Sequence, residues 1–408
     1  MDVVKIKITR VESKAVGFFQ KNADLAFFLI ITVAALAIRA CFIYYESEDY
    51  SKFLEPWVEL IKEHGGFASL GVQITDYNIP YTLYLTIISY LPVSPLWGIK
   101  VLSIVFDFVL AGGCVLIVCF FFKKSSNKII YAALSFAVIL LLPVVIMNSA
   151  AWAQCDSIYT AFIILTLYCL LKEKYTLSFV FFAAAICFKL QAVFFFPVFV
   201  ILYLTGRKFS LMNLLIIPAI LAAAGLPAAL AGRSVASIAG IYINQTATYN
   251  HLTMNYANIY NFLPELYDLL KPVGIMFTFV LLGVMTYYLV RKKYTPQNVS
   301  LVGISLWVVF TCVLFLPKIH DRHAYMADIL SVLYFITRRE KILIPIGINF
   351  VSICSYFPYL FGYSAVDFKI LTAINVFVYI YFTYELIKTL RTENNQMNPP
   401  TAESIGVF

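Results

Sequence analysis

Long apolar runs, separated by short basic turns, repeat along the whole of this 408-residue chain. Most runs approach the length of about 20 apolar residues that crosses a bilayer as one helix. The pattern therefore predicts an all-α polytopic membrane protein with about twelve transmembrane helices, within a range of about 10–13. The predicted spans are 25–45, 96–122, 129–147, 156–171, 209–230, 272–290, 298–316, 324–336, 342–361 and 368–390.

Two further apolar stretches do not fit a single crossing. Residues 80–92 are too few to cross and predict a helix that lies at the outer interface. Residues 177–204 lie between two basic turns, so both of their ends are expected on the cytoplasmic side. A hairpin of two short helices, with Lys189 near its tip, accommodates that charge pattern.

Basic residues orient the predicted spans, because cytoplasmic loops of membrane proteins are enriched in Lys and Arg. We expect a cytoplasmic tail over 1–24, one transmembrane domain over 25–391 and a disordered cytoplasmic tail over 392–408. The acidic segment after the first span belongs to an outer loop, 46–95. A second outer loop, 232–271, is rich in Asn and Tyr.

The overall composition excludes an ordinary soluble enzyme. Hydrophobic residues make up 62% of the chain and charged residues 13%, whereas soluble domains carry about 45–50% and about 25%. The formal net charge of +8 is explained by membrane orientation plus an outer cationic site, so nucleic acid is not an expected partner. The eight cysteines show no metal-ligand spacing.

The scarce charged groups within or beside the spans are the main candidates for chemistry. Such a group costs about 2.5–3.5 kcal/mol on insertion scales, so it tends to be paired or functional. Asp49, in the first outer loop, can accept the proton of an attacking hydroxyl, and a solvated loop carboxylate is the alternative. Asp156 either binds substrate hydroxyls beside Trp152 and Gln154 or caps its helix.

Cationic residues fall on the same predicted face. Lys189 at the hairpin tip can bind an anion such as phosphate, and a structural salt bridge to an acidic residue on another span is the alternative. Arg322 suits bidentate phosphate recognition, and His320 and His323 beside it can donate a hydrogen bond or act near neutral pH. The two histidines lack third and fourth ligands nearby in sequence, which disfavours a metal. The combination of cationic and carboxylate side chains favours a reaction in which a neutral substrate attacks an anionic one.

Seven short motifs follow one another between residue 47 and about residue 325: Ser47-x-Asp49-Tyr50, Pro56-Trp57, Gly65-Gly66-Phe67, Asp76-Tyr77-Asn78-x-Pro80-Tyr81, Trp152-x-Gln154-x-Asp156-Ser157, Phe188-Lys189-Leu190-Gln191 and Leu316-Pro317-x-x-His320-x-Arg322. In this order they resemble the motifs of GT-C glycosyltransferases. The resemblance is greatest to the mannosyltransferase-related branch, akin to the second mannosyltransferase of GPI-anchor synthesis and its bacterial relatives. Ala153 replaces a glycine of that pattern, and Asp321 and His323 also depart from it, which leaves the sugar unassigned.

The resemblance implies inverting transfer of a hexose, mannose or glucose-like, from a polyprenyl-phosphate-linked donor to an acceptor hydroxyl. Asp49 stands where the family has its general base. No cofactor is required by this scheme, and a divalent metal held by Asp49 with Glu48 or Asp156 is left open. The implied donor-phosphate residues are Lys189, His320, Arg322 and His323. The implied substrate-binding residues are Glu48, Tyr50, Asp76, Tyr77, Asn78, Tyr81, Trp152, Gln154, Asp156, Gln191 and Tyr325.

The expected partners are the lipid-linked donor, a glycolipid, glycan or protein acceptor, and the lipid bilayer. We expect a multi-pass plasma (inner) membrane protein, or an ER membrane protein in a eukaryote, with both termini cytoplasmic and the site facing outside. Two other functions fit parts of the pattern. A transporter or flippase of lipid-linked sugars also needs intramembrane cations, and an oligosaccharide polymerase or ligase also faces outward with Arg and His.

Overall fold

Helices make up almost all of the protein in the computed structural model, which describes residues 10–247 and 250–397. The first half contains α1 Arg10–Lys21, α2 Ala23–Ala40, α3 Glu55–Glu63, α4 Ile79–Ser89, α5 Pro95–Phe121, α6 Lys128–Leu141, α7 Pro143–Ile146, α8 Asp156–Leu171 and α9 Tyr175–Phe188. The second half contains α10 Phe196–Gly206, α11 Ile216–Leu230, α12 Val235–Ala247, α13 Tyr267–Arg291, α14 Asn298–Phe315, α15 Tyr325–Arg338, α16 Leu343–Phe361 and α17 Phe368–Met397.

Single helical turns and two very short strands complete the described elements. The strands are β1 Thr253–Met254 and β2 Ile319–His320, which pair in parallel. Two wide π-helical turns occupy Tyr50–Leu54 and Met147–Ala151. Tighter 3₁₀ turns occupy Gly66–Gly71, Leu190–Phe195, Leu211–Leu215 and Ile259–Phe262.

Among the described residues, seven helices are long and apolar enough to cross a membrane. An eighth span results if Lys128–Leu141 and Pro143–Ala151, which are bent by 50° relative to each other, are counted as one span. The structure thus supports an all-α multi-pass membrane protein, and the expected total of about twelve crossings is not confirmed. The seven helices are Ala23–Ala40, Pro95–Phe121, Leu211–Leu230, Tyr267–Arg291, Asn298–Phe315, Leu343–Phe361 and Phe368–Asn395.

Length and burial distinguish the shorter apolar helices from these spans. The helix α8 has 16 residues and α9 has 14, which makes them about 24 and 21 Å long against a hydrocarbon core of about 30 Å. Both pack inside the protein, and α8 lies against α5 and α9 with nearly all of its side chains buried. An apolar sequence alone does not distinguish a crossing helix from a helix buried by its neighbours.

The predicted hairpin around Lys189 is present. Lys189 has an extended backbone (φ −149°, ψ 134°) between the end of α9 and the next helical turn. Phe179 of α9 packs on Phe199 of α10 with ring centroids 4.4 Å apart, and Phe182 packs on Phe196 at 6.1 Å. Because the residues nearer the turn meet one another, the two helices run antiparallel.

Several charged groups in the apolar runs have structural partners. Arg39 Nε lies 2.9 Å from Asp107 Oδ2, and both side chains are buried. Lys100 Nζ donates to two main-chain carbonyls of the turn after α2, at 2.6 and 2.5 Å. Asp328 Oδ1 accepts from Ser352 Oγ at 2.7 Å. Such pairing reduces the cost of placing charged groups in an apolar interior.

The ends of the chain are partly described. The helix α1 covers part of the tail expected over 1–24, and residues 1–9 lie outside the described part. The last helix, α17, continues to Met397 and so includes the start of the tail expected over 392–408. Residues 398–408, on which the expectation of disorder otherwise falls, lie outside the described residues.

Candidate functional site

Five segments of the chain meet around the carboxylate of Asp49, at the end of the bundle that we expect to face outside. Asp49 follows α2, Trp152 precedes α8, and Lys189 lies at the hairpin tip. Arg322 lies in the loop before α15, and Tyr359 lies in the last turns of α16. The structure therefore brings together residues that are up to 310 positions apart. We call this set, with Gln154 and Asp156, the Asp49 cluster.

Asp49 accepts four side-chain hydrogen bonds. Its Oδ2 accepts from Trp152 Nε1 at 2.8 Å, Gln154 Nε2 at 2.6 Å and Arg322 Nη1 at 2.8 Å. Its Oδ1 accepts from the Tyr359 hydroxyl at 2.6 Å. The residue is only 7% exposed. These four donors come from three segments of the chain, so they fix both the position and the orientation of the carboxylate.

The electrostatic surroundings keep Asp49 ionised. Burial by itself raises the pKa of this carboxyl, but the Arg322 guanidinium and the hydrogen bonds from Tyr359 and Trp152 outweigh it. The net effect holds the pKa of Asp49 below its usual value. Burial likewise opposes the charge on Arg322, and the facing carboxylates, Asp49 first, raise the pKa of Arg322 well above its usual value. Both groups are charged at neutral pH.

A second ion pair lies directly beside the first. Lys189 Nζ lies 2.5 Å from Asp156 Oδ1, and both side chains are at most 9% exposed. Asn148 Nδ2 donates to Asp156 Oδ2 at 2.8 Å, and Arg322 Nε lies 3.9 Å from the same oxygen. Asp156 is on another helix, so the contact agrees with the salt-bridge alternative for Lys189. It also joins that pair to the Asp49 cluster through Arg322.

The Trp152 ring serves Asp49 rather than presenting a face to a sugar. It is 0% exposed, and it stacks on Tyr359 with ring centroids 5.2 Å apart and planes at 19°. The Arg322 guanidinium carbon lies 5.3 Å from the ring centroid, within cation–π range. Direct stacking of Trp152 on a sugar does not fit this packing.

The chain must turn sharply between Trp152 and Gln154 for both side chains to reach Asp49. Ala153 makes this turn with φ = +61°, a left-handed conformation that favours glycine. Gln154 then accepts a hydrogen bond from the Tyr77 hydroxyl at 3.0 Å. The Tyr77 ring packs on Tyr81 with centroids 4.6 Å apart. The tyrosines of the fourth motif thus support the cluster through Gln154.

Asn78 connects the first outer loop to the hairpin. Its Nδ2 donates to the main-chain oxygen of Ile186 at 3.1 Å, in the last turn of α9. Its Oδ1 lies 3.3 Å from Gln245 Nε2. Asn78 is 1% exposed. In this arrangement it positions the chain that leads to Lys189.

The two histidines lie beside the cluster in their neutral form. His323 Nδ1 accepts the main-chain N–H of His320 at 3.2 Å, and its Nε2 lies 2.9 Å from the Gln191 amide. Burial, followed by Arg322 and Lys189, lowers the pKa of His320 to about 3. Burial also lowers the pKa of His323 well below its usual value. Of the two roles that the sequence leaves open for these histidines, their lowered pKa values favour hydrogen bonding over titration near neutral pH.

The segment 232–271, which the sequence predicts to be the second outer loop, holds the segment that carries Arg322. The strand β1 pairs with β2, and the Asp321 N–H donates to the Met254 oxygen at 2.9 Å. Asp321 Oδ1 in turn accepts the Arg322 N–H at 2.9 Å. Burial raises the pKa of Asp321 to about 7 even though Arg322 lowers it. Asp321 is therefore the group beside the cluster that titrates near neutrality.

Some predicted site residues lie away from the cluster. Glu48 is exposed and pairs with Lys52 at 3.2 Å. The Tyr50 hydroxyl donates to a glutamate of α3 at 3.1 Å. Asp76 is exposed, and its main-chain oxygen accepts from Gln245. Tyr325 is fully buried at the start of α15.

Two residues of the site were missed in the sequence, Tyr359 and Asn148, which donate to the two central carboxylates. Ser47 was part of the first motif but was given no role; its Oγ donates to the Trp152 main-chain oxygen at 2.8 Å. Tyr359 lies in an apolar span, and the chain has 28 tyrosines, so nothing in the sequence distinguishes it from the others. Asn148 did give a signal, because it is an isolated amide in an apolar run.

The donor set around Asp49 and Asp156 does not fit a divalent cation. Each carboxylate already pairs with a cationic side chain, and the groups that face Asp49 are hydrogen-bond donors. Within 10–247 and 250–397, no group of three His, Cys, Asp or Glu side chains is arranged to hold a metal ion. We therefore derive no step through a metal.

No protein-family model matches this chain, and no curated protein matches it. The Asp49 cluster combines an oriented, ionised carboxylate with two cations in a buried position.

Proposed function

We propose that this protein is a membrane-embedded inverting glycosyltransferase of the GT-C type. It transfers a hexose from a polyprenyl-phosphate-linked donor to an acceptor hydroxyl on the extracytoplasmic face. The observation that carries the proposal is a buried, ionised carboxylate, Asp49, lying within one cluster with the cations Lys189 and Arg322. The resemblance of the sequence motifs to that superfamily supports the same chemistry.

Asp49 is the general base in this scheme. A carboxylate oxygen has two lone pairs, and among the described residues Oδ1 accepts one hydrogen bond, from Tyr359. The second lone pair of Oδ1 can accept the acceptor hydroxyl. While Arg322 is paired with it, Asp49 has a lowered pKa and is a weak base.

Arg322 and Lys189 stabilise the leaving group. As the sugar–oxygen bond breaks, negative charge develops on the lipid phosphate, and cations in a water-poor site stabilise that charge strongly. Arg322 is planar and can donate two parallel hydrogen bonds to a phosphate. The neutral histidines, His320 and His323, can add hydrogen bonds without competing for charge.

A transfer assay with purified protein tests the proposal. Labelled polyprenyl-phosphate hexoses are supplied with candidate acceptors, and Asp49→Asn is compared with wild type. We expect transfer to fall by about 10²–10⁴-fold, the usual contribution of a general base. Glu59→Gln, at an exposed carboxylate of the same loop, is the matched control and should keep full activity.

Two outcomes contradict the proposal. Undiminished transfer by Asp49→Asn excludes Asp49 as the base. Movement of donor lipid across a vesicle bilayer, with no transfer to any acceptor, indicates a flippase instead.

A further inference from the structure

The Asp49 cluster contains as much negative as positive formal charge. Asp49 pairs with Arg322, and Asp156 pairs with Lys189. The nearby histidines are neutral because burial, first of all, lowers their pKa values. A singly charged phosphate bound here leaves one negative charge in excess, which is costly in a buried site. Both cations are already paired, so an anion gains a cationic partner of its own only if one of the two ion pairs opens.

Geometry indicates which pair opens. Without Arg322, Asp49 keeps three neutral donors, Trp152, Gln154 and Tyr359. Without Lys189, Asp156 would keep one neutral donor, Asn148, and a distant Arg322 at 3.9 Å.

Exposure favours the same pair. The Arg322 side chain is 20% exposed and that of Lys189 is 9% exposed. Arg322 is thus the cation that an incoming anion reaches more easily and that its carboxylate can lose more easily.

We propose that binding of a phosphate-bearing ligand draws Arg322 from Asp49 and thereby converts Asp49 from an ion-paired carboxylate into an available base. The inference rests on the proposed function, because it takes the bound phosphate to be that of the donor and the reacting hydroxyl to be that of the acceptor. It adds an order, since the donor must bind before Asp49 can activate the acceptor. In the absence of donor, the ion pair with Arg322 keeps Asp49 a weak base.

The exchange couples anion binding to protons. Arg322 is the strongest of the neighbours that hold the pKa of Asp49 down, so its departure raises that pKa. The ligand-bound form then takes up protons at a higher pH than the free form, and by linkage the anion binds more tightly as the pH falls. The titratable and charged groups that face Asp49 are Tyr77, Lys189, His320, Asp321, Arg322 and Tyr359.

Calorimetric binding of diethyl phosphate, a singly charged phosphodiester, tests the exchange in full-length protein. In Asp49→Asn the competing carboxylate is gone, while the amide can still accept from Trp152 and Gln154. Since a neighbouring charge is worth about 1–3 pKa units to a carboxyl, we expect binding about tenfold tighter or more. Glu173→Gln, at the exposed ion pair with Lys208, should bind like wild type. Unchanged or weaker binding by Asp49→Asn overturns the inference.

Wild-type protein provides a second measurement that does not depend on a variant's folding. Its affinity for diethyl phosphate should rise as the pH is lowered from about 7 to about 4, and the rise should persist in Asp321→Asn, which removes the neighbouring carboxyl that titrates near pH 7. An affinity that is flat over this range overturns the exchange. If the exchange is present but no sugar is transferred to any acceptor, the proposed function fails while the ion-pair exchange stands.

Discussion

Ala153 shows how a single backbone conformation shapes the site. Its positive φ lets Trp152 and Gln154, two residues apart, both donate to Asp49. For a residue with a Cβ atom, this conformation costs about 1–2 kcal/mol. The motif glycine of the family that the sequence resembles has no such cost. In this chain the strained residue, Ala153, lies at the turn that places Trp152 and Gln154 against Asp49.

Glycine at this position should relieve the strain. We expect Ala153→Gly to raise the free energy of unfolding by about 1 kcal/mol. The relieved strain is offset in part because the contacts of a buried methyl group are lost. Thermal unfolding in detergent measures the change. The control Ala151→Gly, at a buried alanine of the preceding helical turn, should destabilise by about 1 kcal/mol. Equal destabilisation by both substitutions would contradict the role given to the turn.

Asp321 should make stability depend on pH near neutrality. Its pKa rises from the ordinary 3.8 to about 7 on folding because it is buried, so between these values the folded protein binds more protons than the unfolded protein. Stability therefore falls as the pH rises through this window, by an amount on the order of a few kcal/mol. Asp321→Asn retains an oxygen for the Arg322 N–H, and it should be more stable than wild type at pH 8 and similar near pH 4. Chemical unfolding at both pH values checks this; parallel pH profiles for the two proteins would count against it.

At the scale of elements, the hairpin places a charged residue where a continuous helix could not. Uninterrupted, the run from α9 to α10 would leave Lys189 far from either membrane surface. The extended backbone at Lys189 ends the first helix, and the antiparallel return directs its ammonium to Asp156. Asn78 bonds to the last turn of α9 and restrains the tip.

The Lys189–Asp156 pair predicts a characteristic mutational pattern. Lys189→Met leaves the Asp156 carboxylate without its closest cation, and we expect about 3–5 kcal/mol of destabilisation. The double variant Lys189→Met with Asp156→Asn removes both charges and should recover most of that loss. Unfolding in detergent of the two single variants and the double variant measures the coupling. Additive losses would show that the pair is not a unit.

Sequence patterns predicted the elements better than the contacts between them. The apolar runs and basic turns located the hairpin and most helix limits, since those depend on local hydrophobicity and charge. The partner of Lys189 depends on how α8 packs against α9, which no local pattern records. Tyr359 likewise reaches Asp49 only through the packing of α16 against the segment before α8. The motif residues were found because they are rare polar groups among apolar ones.

At the scale of the molecule, the orientation proposed for the bundle is testable by labelling. In a background without Cys41 and Cys119, the two cysteines that are not buried, an introduced cysteine reports the side it faces. We expect Glu59→Cys, in the first outer loop, to react with an impermeant maleimide on intact cells. Lys292→Cys, in the turn after α13, should react only after permeabilisation. The reverse pattern would place the Asp49 cluster on the cytoplasmic side.

The wide separation of the Asp49 cluster in the sequence has a consequence for biosynthesis. Asp49 and Tyr359 are 310 residues apart, and ribosomes add about 5–20 residues per second. Roughly 15–60 s therefore pass between translation of the carboxylate and translation of its last hydrogen-bond donor. During that interval the nascent chain is already being inserted into a bilayer that holds its proposed substrate. An unfinished chain lacks the complete cluster, so the chemistry that we propose for Asp49 requires α16, which carries Tyr359, to have been made.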